Sequence, residues 1–314
     1  MAEHHPYIGN GPYCYANSLA MMLGERSPSP SVLEFATCSP FGMQVIASEL
    51  AFFDPYGWDP AVVMDAALKA AGWESTLTTG QNAADALAQL KEALEKGPVF
   101  VGPLEVGRLR YSSGMSQDFG ADHYVQVLQI DTPTDEVTLH DPNGHPFATL
   151  SVADLMEAWK CTKIEYGKPY MMRTNFRQVE RNLSEEDIIR RTLPEARKWL
   201  SMQGCSADYM PPGSFGNGDA ARWLAGKARS DSLTQGMRGM LVAFAVRTGA
   251  RRLADGATCL RRIGEDHAAG IMSKQARLVG ALQHAVAMKD SEKTAALLED
   301  LAPTYEELGA ALRT

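Results

Sequence analysis

A cysteine near the start of the chain stands where a turn is followed by a helix. Cys14 follows the segment Gly9-Asn10-Gly11-Pro12-Tyr13, in which glycine and proline break regular structure, and begins an apolar stretch that runs to Leu23. The first amide groups of a helix and its dipole stabilise a negative charge. A thiolate at this position is expected to have a lowered pKa and to act as a nucleophile near neutral pH. The alternative is that Cys14 is a small buried residue of an N-terminal helix.

A nucleophilic cysteine requires a base, and the base requires a third group that orients it. His123 opens the alternating segment 123–130, which predicts a β-strand, and Asp141 follows the segment 136–140, which predicts an antiparallel partner. A short turn joins the two segments, so the start of the first strand lies beside the end of the second. The sequence therefore predicts that Cys14 is the nucleophile, His123 the base and Asp141 the group that holds the imidazole.

Residues next to this predicted triad allow other interpretations. His140 points to the opposite face of its strand from Asp141, so we expect it to be structural or exposed. His140, His145 and Asp141 could suggest a metal site, but no further ligand at a fixed spacing supports one. Asp122 could replace Asp141 only if the loop before it folded back. The sequence has no phosphate-binding loop and no dinucleotide-binding or serine-nucleophile motif. We expect neither a metal nor a cofactor.

The residues up to 176 predict an α+β fold in which helices come first and antiparallel strands later. After the helix 14–23, Asp59 and Asn82 are the predicted caps of two further helices, and Ser151 begins a capping box for a fourth. Residues 26–48 are rich in serine, proline and glycine and predict a loop over a pocket. Strands are predicted at 98–102, 123–130, 136–140 and 169–174, with an irregular segment at 105–121.

After residue 176 the strand signals stop. A helix is predicted from Ser184 to about Met202, and helical periodicity recurs from Asp219 almost to the last residue, after a linker at 211–218. We therefore predict two domains, 1–176 with the triad and 177–314 with helices alone.

Charge and cysteine usage limit the classes of partner and compartment. Residues 1–175 carry 10 Lys/Arg and 21 Asp/Glu, and residues 176–314 carry 20 and 17, which gives balances of −11 and +3 and a net charge of −8. Nucleic acid is a poor partner for the acidic first half. No apolar run is long enough to cross a membrane, and no secretory signal is visible. The five cysteines are scattered without metal-binding spacing, which fits a reducing cytoplasm.

The order of a helix-borne cysteine, a strand-borne histidine and an aspartate at the end of the next strand resembles papain-like cysteine enzymes. The motifs Gly-Pro-Tyr-Cys14, Ala-Asp-His123-Tyr-Val-Gln-Val and Val-Thr-Leu-His-Asp141-Pro-Asn-Gly are similar to those of the branch with the double-glycine leader peptidases of bacteriocin exporters. Within that branch the chain resembles the butirosin-biosynthesis acyltransferase family. The segment 97–104 and the helix start at 236–240 are also similar to that family.

This resemblance implies a papain-like domain followed by a helical region. It further implies a cysteine acyltransferase that takes an acyl group from a carrier-protein thioester and gives it to a small-molecule amine in biosynthesis. The Cys14 backbone N–H would stabilise the oxyanion. Papain-like enzymes add an upstream glutamine, and Asn10 is the amide at a comparable distance in this chain. The alternative for Asn10 is a turn residue.

Two other functions remain open from the sequence. A peptidase or amidase would use the same triad and let water, rather than an amine, attack the acyl-enzyme. A non-catalytic binding module would keep the fold without the reactivity of Cys14.

Overall fold

The structure is a computed structural model that describes residues 12–164, 167–203 and 210–312. Backbone contacts divide the chain into two compact units. The first contains Met1–Pro30 and Gly72–Arg181, and the second contains Ser31–Ala71 and Asn182–Thr314. Residues 31–71 therefore group with the C-terminal helices, while the division into domains 1–176 and 177–314 remains a prediction.

Helices and strands alternate in the first part of the chain, and helices fill the last part. In chain order the elements are α1 (Cys14–Leu23), α2 (Pro30–Ala36), β1 (Gln44–Ile46), β2 (Leu50–Phe52), α3 (Pro60–Ala70), β3 (Trp73–Thr79), α4 (Ala83–Leu94), β4 (Val99–Glu105), β5 (Asp122–Asp131), β6 (Glu136–Asp141), β7 (His145–Ser151), α5 (Val152–Trp159), β8 (Met171–Gln178), α6 (Glu185–Leu200), β9 (Phe215–Gly216), α7 (Asn217–Arg229), α8 (Gln235–Met240), a π-helical turn (Leu241–Ala245), α9 (Val246–Arg262), α10 (Asp266–Ala287), α11 (Ser291–Leu301) and α12 (Thr304–Ala311).

The first unit is built on an antiparallel sheet. Among the residues described, its six strands lie in the order β3-β8-β4-β5-β6-β7. Strands β4, β5 and β6 lie inside the sheet, and their buried apolar side chains pack on α4 and α5. The buried core of this unit includes Leu90, Val101, Val125, Val127, Leu139, Leu155 and Trp159.

Helix α1 packs on the sheet through its contact with β5. All of its residues are buried, which fits its composition of alanine, leucine and methionine. The Ser18 hydroxyl donates to the carbonyl oxygen of Tyr124 at 3.0 Å, and the Tyr15 ring meets the Tyr124 ring edge-on. The helix ends at Gly24, whose φ of 64° favours glycine. The N-terminal residue of α1 is thereby held beside the start of β5.

Short side chains cap the helices that flank the sheet. The Asn82 side chain accepts from the backbone N–H of Asp85 at the start of α4, and the Ser151 hydroxyl accepts from the backbone N–H of Asp154 at the start of α5. Both caps were predicted, and both are confirmed.

The second unit combines a small sheet with helices. Strand β1 pairs with β2 and with β9, both antiparallel. Helix α6 begins with a capping box in which Ser184 and Asp187 bond each other's backbone N–H groups. Helices α9 and α10 form the most extensive helix pair of this unit. A helical C-terminal region was predicted and is confirmed, as is the coarse α+β class with an N-terminal helix and antiparallel strands. The prediction of helices alone was wrong at β9, because its residues pair with β1.

A buried ion cluster holds the second unit together. The Arg252 guanidinium, on α9, donates to Glu34 at 2.6 Å and to Asp54 at 3.0 Å. All three residues are at most 5% exposed. Burial raises the pKa of Asp54, and Arg252 opposes that effect. The cluster fixes α2 and the segment before α3 to α9.

The loop and strand predictions from the sequence were wrong or incomplete at several places in the two units. Residues 26–48 are not one irregular loop, because they contain α2 and β1. The apolar residues Val32, Leu33 and Phe35 of α2 are buried in the second unit, and this tertiary burial outweighs the local serine and proline signal. Strand β3, at one edge of the large sheet, was not predicted. No helix within the described residues is long and apolar enough to cross a membrane.

Candidate active site

Cys14 is the first residue of α1, as predicted. Cys14 is 8% exposed, so it is largely buried but keeps some contact with solvent. The preceding Tyr13 is not helical and makes no side-chain cap of the helix. The thiol therefore lies at the positive end of the helix dipole.

His123 and Asp141 meet across the β5–β6 hairpin. The register pairs Gln126 with His140, so the start of β5 lies beside the end of β6. The His123 Nε2–H donates to Asp141 Oδ1 at 2.7 Å, and both residues are at most 3% exposed. The predicted contact between these side chains is present.

The His123 ring also forms a hydrogen bond with the Cys14 side chain. Because Nε2 bonds Asp141, Nδ1 is the ring nitrogen left available for the sulfur. Burial alone lowers the pKa of His123, but the Asp141 carboxylate and the Cys14 sulfur raise it more, to about 10. An imidazolium beside the sulfur favours the thiolate form. The structure thus brings Cys14, His123 and Asp141 together in one row.

Asp141 is held by three donors. Oδ1 accepts from His123 and from the backbone N–H of Asn143 at 2.8 Å, and Oδ2 accepts from the Tyr111 hydroxyl at 2.9 Å. Burial raises the pKa of Asp141, but the charge and hydrogen bond of His123 and the other two bonds lower it below its usual range. The carboxylate is therefore ionised beside the imidazole.

Tyr111 was missed by the sequence analysis. It lies in the segment 105–121, whose polar and glycine-rich composition correctly predicted irregular structure but gave no indication of which side chains point inward. A large aromatic residue between polar ones was the available signal. Its ring also packs edge-on against His145, with centroids 5.5 Å apart.

Other residues considered in the sequence analysis take no part in the row. His140 is fully buried, accepts from the backbone N–H of Phe147 at 3.1 Å and stacks edge-on with the Phe147 ring, so it is structural and not exposed. The carboxylate that bonds His123 is that of Asp141 and not that of Asp122. The described residues hold no cluster of metal-binding side chains. Asn10 lies outside the described residues.

The remaining cysteines of the described chain are poor nucleophiles. Cys38, Cys161 and Cys259 are buried and free. Burial raises the pKa of Cys161 and Cys259 to about 12, and it raises that of Cys38 further. Cys14 differs because it has an imidazole partner.

The candidate active site is identified by its side chains and not by the size of a cavity. A cavity of about 650 Å³ in the second unit is lined by residues that include Arg197, Arg222 and Tyr305. It shares no residue with the row of Cys14, His123 and Asp141, so the candidate active site rests on side-chain chemistry.

Comparisons with known proteins match part of the chain. A family model described as the YobF C-terminal domain matches residues 211–313, which contain β9 and the helices α7 to α12. The uncharacterized protein YobF of Bacillus subtilis (strain 168) is 34% identical over 167 residues, which make up 52% of this chain and 52% of that protein. The chain thus spans about half the length of this curated relative, and the functional argument depends on the geometry above.

Proposed function

We propose that the chain is a cysteine-dependent acyltransferase that moves an acyl group from a thioester to an amine through an acyl-Cys14 intermediate. The observation that carries the proposal is the continuous row of hydrogen bonds from Cys14 through His123 to Asp141. A thiol, an imidazole and a carboxylate in this order supply a nucleophile, a proton carrier and an orienting charge.

In the first half-reaction the Cys14 thiolate attacks the carbonyl carbon of the donor thioester. The tetrahedral intermediate collapses, the bond from the carbonyl carbon to the donor sulfur breaks, and the donor thiolate takes the proton of the His123 imidazolium. The products are the acyl-Cys14 thioester, the free donor thiol and a neutral His123. The pKa of His123, about 10, leaves the ring protonated before the reaction, so the proton needed by the leaving thiolate is in place.

In the second half-reaction the amine attacks the acyl-Cys14 carbonyl carbon. Neutral His123 accepts the proton that the amine nitrogen loses, and the bond to the Cys14 sulfur breaks. The amide is released, and the thiolate and imidazolium are restored. Asp141 keeps its charge throughout, because the three donors around it favour the ionised form. The backbone N–H of Cys14, at the first position of α1, would stabilise the oxyanion in both steps.

We further infer that the first unit is papain-like. A cysteine on an N-terminal helix that packs on an antiparallel sheet, with the histidine and the aspartate on neighbouring strands, supports that inference. The proposed donor is an acyl carrier protein and the proposed acceptor a small-molecule amine; the positive balance of residues 176–314 fits an acidic carrier. Free cysteines in the described chain support a reducing compartment such as the cytoplasm.

The test is incubation with a carrier-bound acyl thioester and an amine, followed by mass spectrometry of the intact protein and of the product. We expect wild type to gain an acyl group on Cys14 and to form the amide. Cys14→Ala should do neither. Cys259→Ala is the matched control, since it removes a buried thiol on α9, and it should behave as wild type.

Each departure from this result has a defined meaning. Amide formation by Cys14→Ala, or an acyl group on another residue, contradicts the proposal. An acyl-Cys14 species that gives free acid and no amide, with thioester or peptide donors, identifies a hydrolase. Absence of any adduct on Cys14 identifies a binding module.

A further inference from the structure

We propose that Tyr111 is a positioning residue of the candidate active site. Its hydroxyl fixes the Asp141 carboxylate toward His123, and the closed loop 106–121 holds Tyr111 in place. The inference rests on the proposed function and adds a fourth side chain to it. Tyr111 contacts neither the sulfur nor the imidazole in any contact described above, so its effect would pass through Asp141.

The two oxygens of Asp141 have different donors. Oδ1 receives His123 and the Asn143 N–H, whereas Oδ2 receives the Tyr111 hydroxyl at 2.9 Å. Rotation of the carboxylate about its last bond would break bonds at both oxygens. Without Tyr111, Oδ2 would lose this donor, and the orientation of the carboxylate would depend more on the bonds at Oδ1. A hydrogen bond to a charged acceptor is among the stronger ones in proteins.

The loop that carries Tyr111 is fastened at its base. Glu105, which is 2% exposed, accepts from the backbone N–H groups of Gly107, Phe119 and Gly120, at 3.2, 2.9 and 2.9 Å. Both ends of the loop are therefore bound to one carboxylate. A side chain at Gly107 would overlap the carbonyl oxygen of Gln117, so the two ends of the loop lie in direct contact.

An ion pair between Arg108 and Asp118, at 2.5 Å, closes the loop a second time. Residues 106–121 thus have the compact form of an Ω-loop, with its ends held together and a side chain directed to the site. The ring of Tyr111 is further restrained by His145, and burial together with the Asp141 charge keeps its pKa above the usual range. The hydroxyl retains its proton and acts as a donor alone.

The direction in which the pKa of His123 changes when the Tyr111 hydroxyl is lost distinguishes a positioning role from simple screening of the Asp141 charge. The ionisable groups that contact His123 are Asp141 and Cys14, and Tyr111 and His145 lie beyond the carboxylate. If Tyr111 positions Asp141, its loss lets the carboxylate turn away and the pKa of His123 falls. If the hydroxyl only weakens the negative charge of Asp141, its loss raises the pKa of His123.

The experiment is an NMR titration of the His123 ring in wild type and three variants of the full chain. Tyr111→Phe should lower the pKa of His123 by about one unit, a tenfold change in its protonation equilibrium. Arg108→Ala, which loosens the loop at a partly exposed ion pair, should lower it less. Tyr170→Phe, the matched control, removes a phenol hydroxyl from a ring that packs against Trp159 and should leave it unchanged.

An unchanged or raised pKa of His123 in Tyr111→Phe overturns the proposal. If Tyr111→Phe does not fold, Arg108→Ala decides in the same way, because an unchanged pKa there shows that the loop does not position Asp141. Iodoacetamide labelling of Cys14 in the same samples reports on the proposed function separately. A wild-type Cys14 that reacts as an ordinary thiol with a pKa of about 8.5 would refute the function, while the His123 titration still decides the role of Tyr111.

Discussion

The charge of Asp141 can be removed with little change of shape by the substitution Asp141→Asn. Asparagine still offers an oxygen to His123 but no negative charge. In the wild-type protein burial lowers the pKa of His123, and the Asp141 charge is the largest contribution that raises it. Without that charge we expect burial to dominate, so that His123 is neutral at pH 7 and no longer stabilises the Cys14 thiolate.

The magnitude follows from the pKa of about 10 for His123. A fall from about 10 to below the ordinary value of about 6.5 exceeds three units, and it lowers the equilibrium constant for forming the imidazolium–thiolate pair more than about a thousandfold, since each unit is a factor of ten. We expect the rate of acyl transfer to Cys14 at pH 7 to fall about thirtyfold, because the thiolate attacks the donor and an ordinary thiol with a pKa of about 8.5 is only a few per cent thiolate at that pH.

The rate of alkylation by iodoacetamide measures the thiolate fraction of Cys14 without a substrate. Wild-type Cys14 should react rapidly from about pH 6 upward, and Cys14 in Asp141→Asn should react as an ordinary thiol with a pKa of about 8.5. Asp131→Asn is the matched control, because Asp131 is an exposed carboxylate on the same strand as His123. Equal rates at pH 6 for wild type and Asp141→Asn would refute the reasoning.

The free energy of unfolding should depend on pH through the interaction of His123 with Asp141. Because the pKa of His123 is raised in the folded state, the folded chain holds a proton that the unfolded chain loses above about pH 6.5. The contribution is therefore complete below that value and is lost as the pH rises toward 10. Up to about pH 8.5 the unfolded chain still holds a proton on Cys14, which offsets this loss. Urea unfolding should therefore show the decline above about pH 8.5 for wild type and a flatter profile for Asp141→Asn; identical profiles would show that Asp141 is not the cause.

Two further substitutions test the packing of each unit by urea denaturation. Ser18→Ala removes the hydroxyl that donates to the carbonyl oxygen of buried Tyr124 and should lower the free energy of unfolding by about 0.5–1.5 kcal/mol. Arg252→Met leaves Glu34 and Asp54 buried without their cation and should lower it by about 3–5 kcal/mol at pH 7. That loss should shrink as the pH falls, because the raised pKa of Asp54 lets the folded state take up a proton before the unfolded state does.

Both substitutions have controls on the surface. Ser116→Ala removes an exposed hydroxyl from the first unit, and Arg247→Met removes an exposed guanidinium from α9. A loss for Ser18→Ala no larger than that for Ser116→Ala would show that the Tyr124 bond contributes nothing. Equal stability of Arg252→Met and Arg247→Met would show that the cluster is not ionised.

The sequence was most informative where local chemistry determines the structure. Glycine and proline before Cys14 predicted the start of α1, and the alternation of residues 123–130 and 136–140 predicted the hairpin. Because register follows from alternation and turn length, the meeting of His123 and Asp141 could be predicted from spacing alone. The contact of Cys14 with His123 was inferred only because a nucleophilic cysteine requires a base, and no spacing in the sequence predicted it.

Long-range contacts explain what could not be predicted. Glu34 and Arg252 are 218 residues apart, and neither segment shows in its own composition that it will bury a charge. Residues 30–36 look like a loop locally and become helical where Leu33 and Phe35 are buried. Tyr111 lies in a segment without periodicity, so its direction is determined by three backbone bonds to Glu105 and not by any pattern.

The grouping of residues 31–71 with the C-terminal helices has a consequence for synthesis of the chain. The second unit cannot complete its structure when its first segment leaves the ribosome. Glu34 and Asp54 pair with Arg252, which is synthesised about two hundred residues later. A fragment that begins at residue 177 would keep Arg252 but lack both carboxylates, together with β1 and β2. Assembly of this unit therefore depends on translation of the chain at least as far as α9.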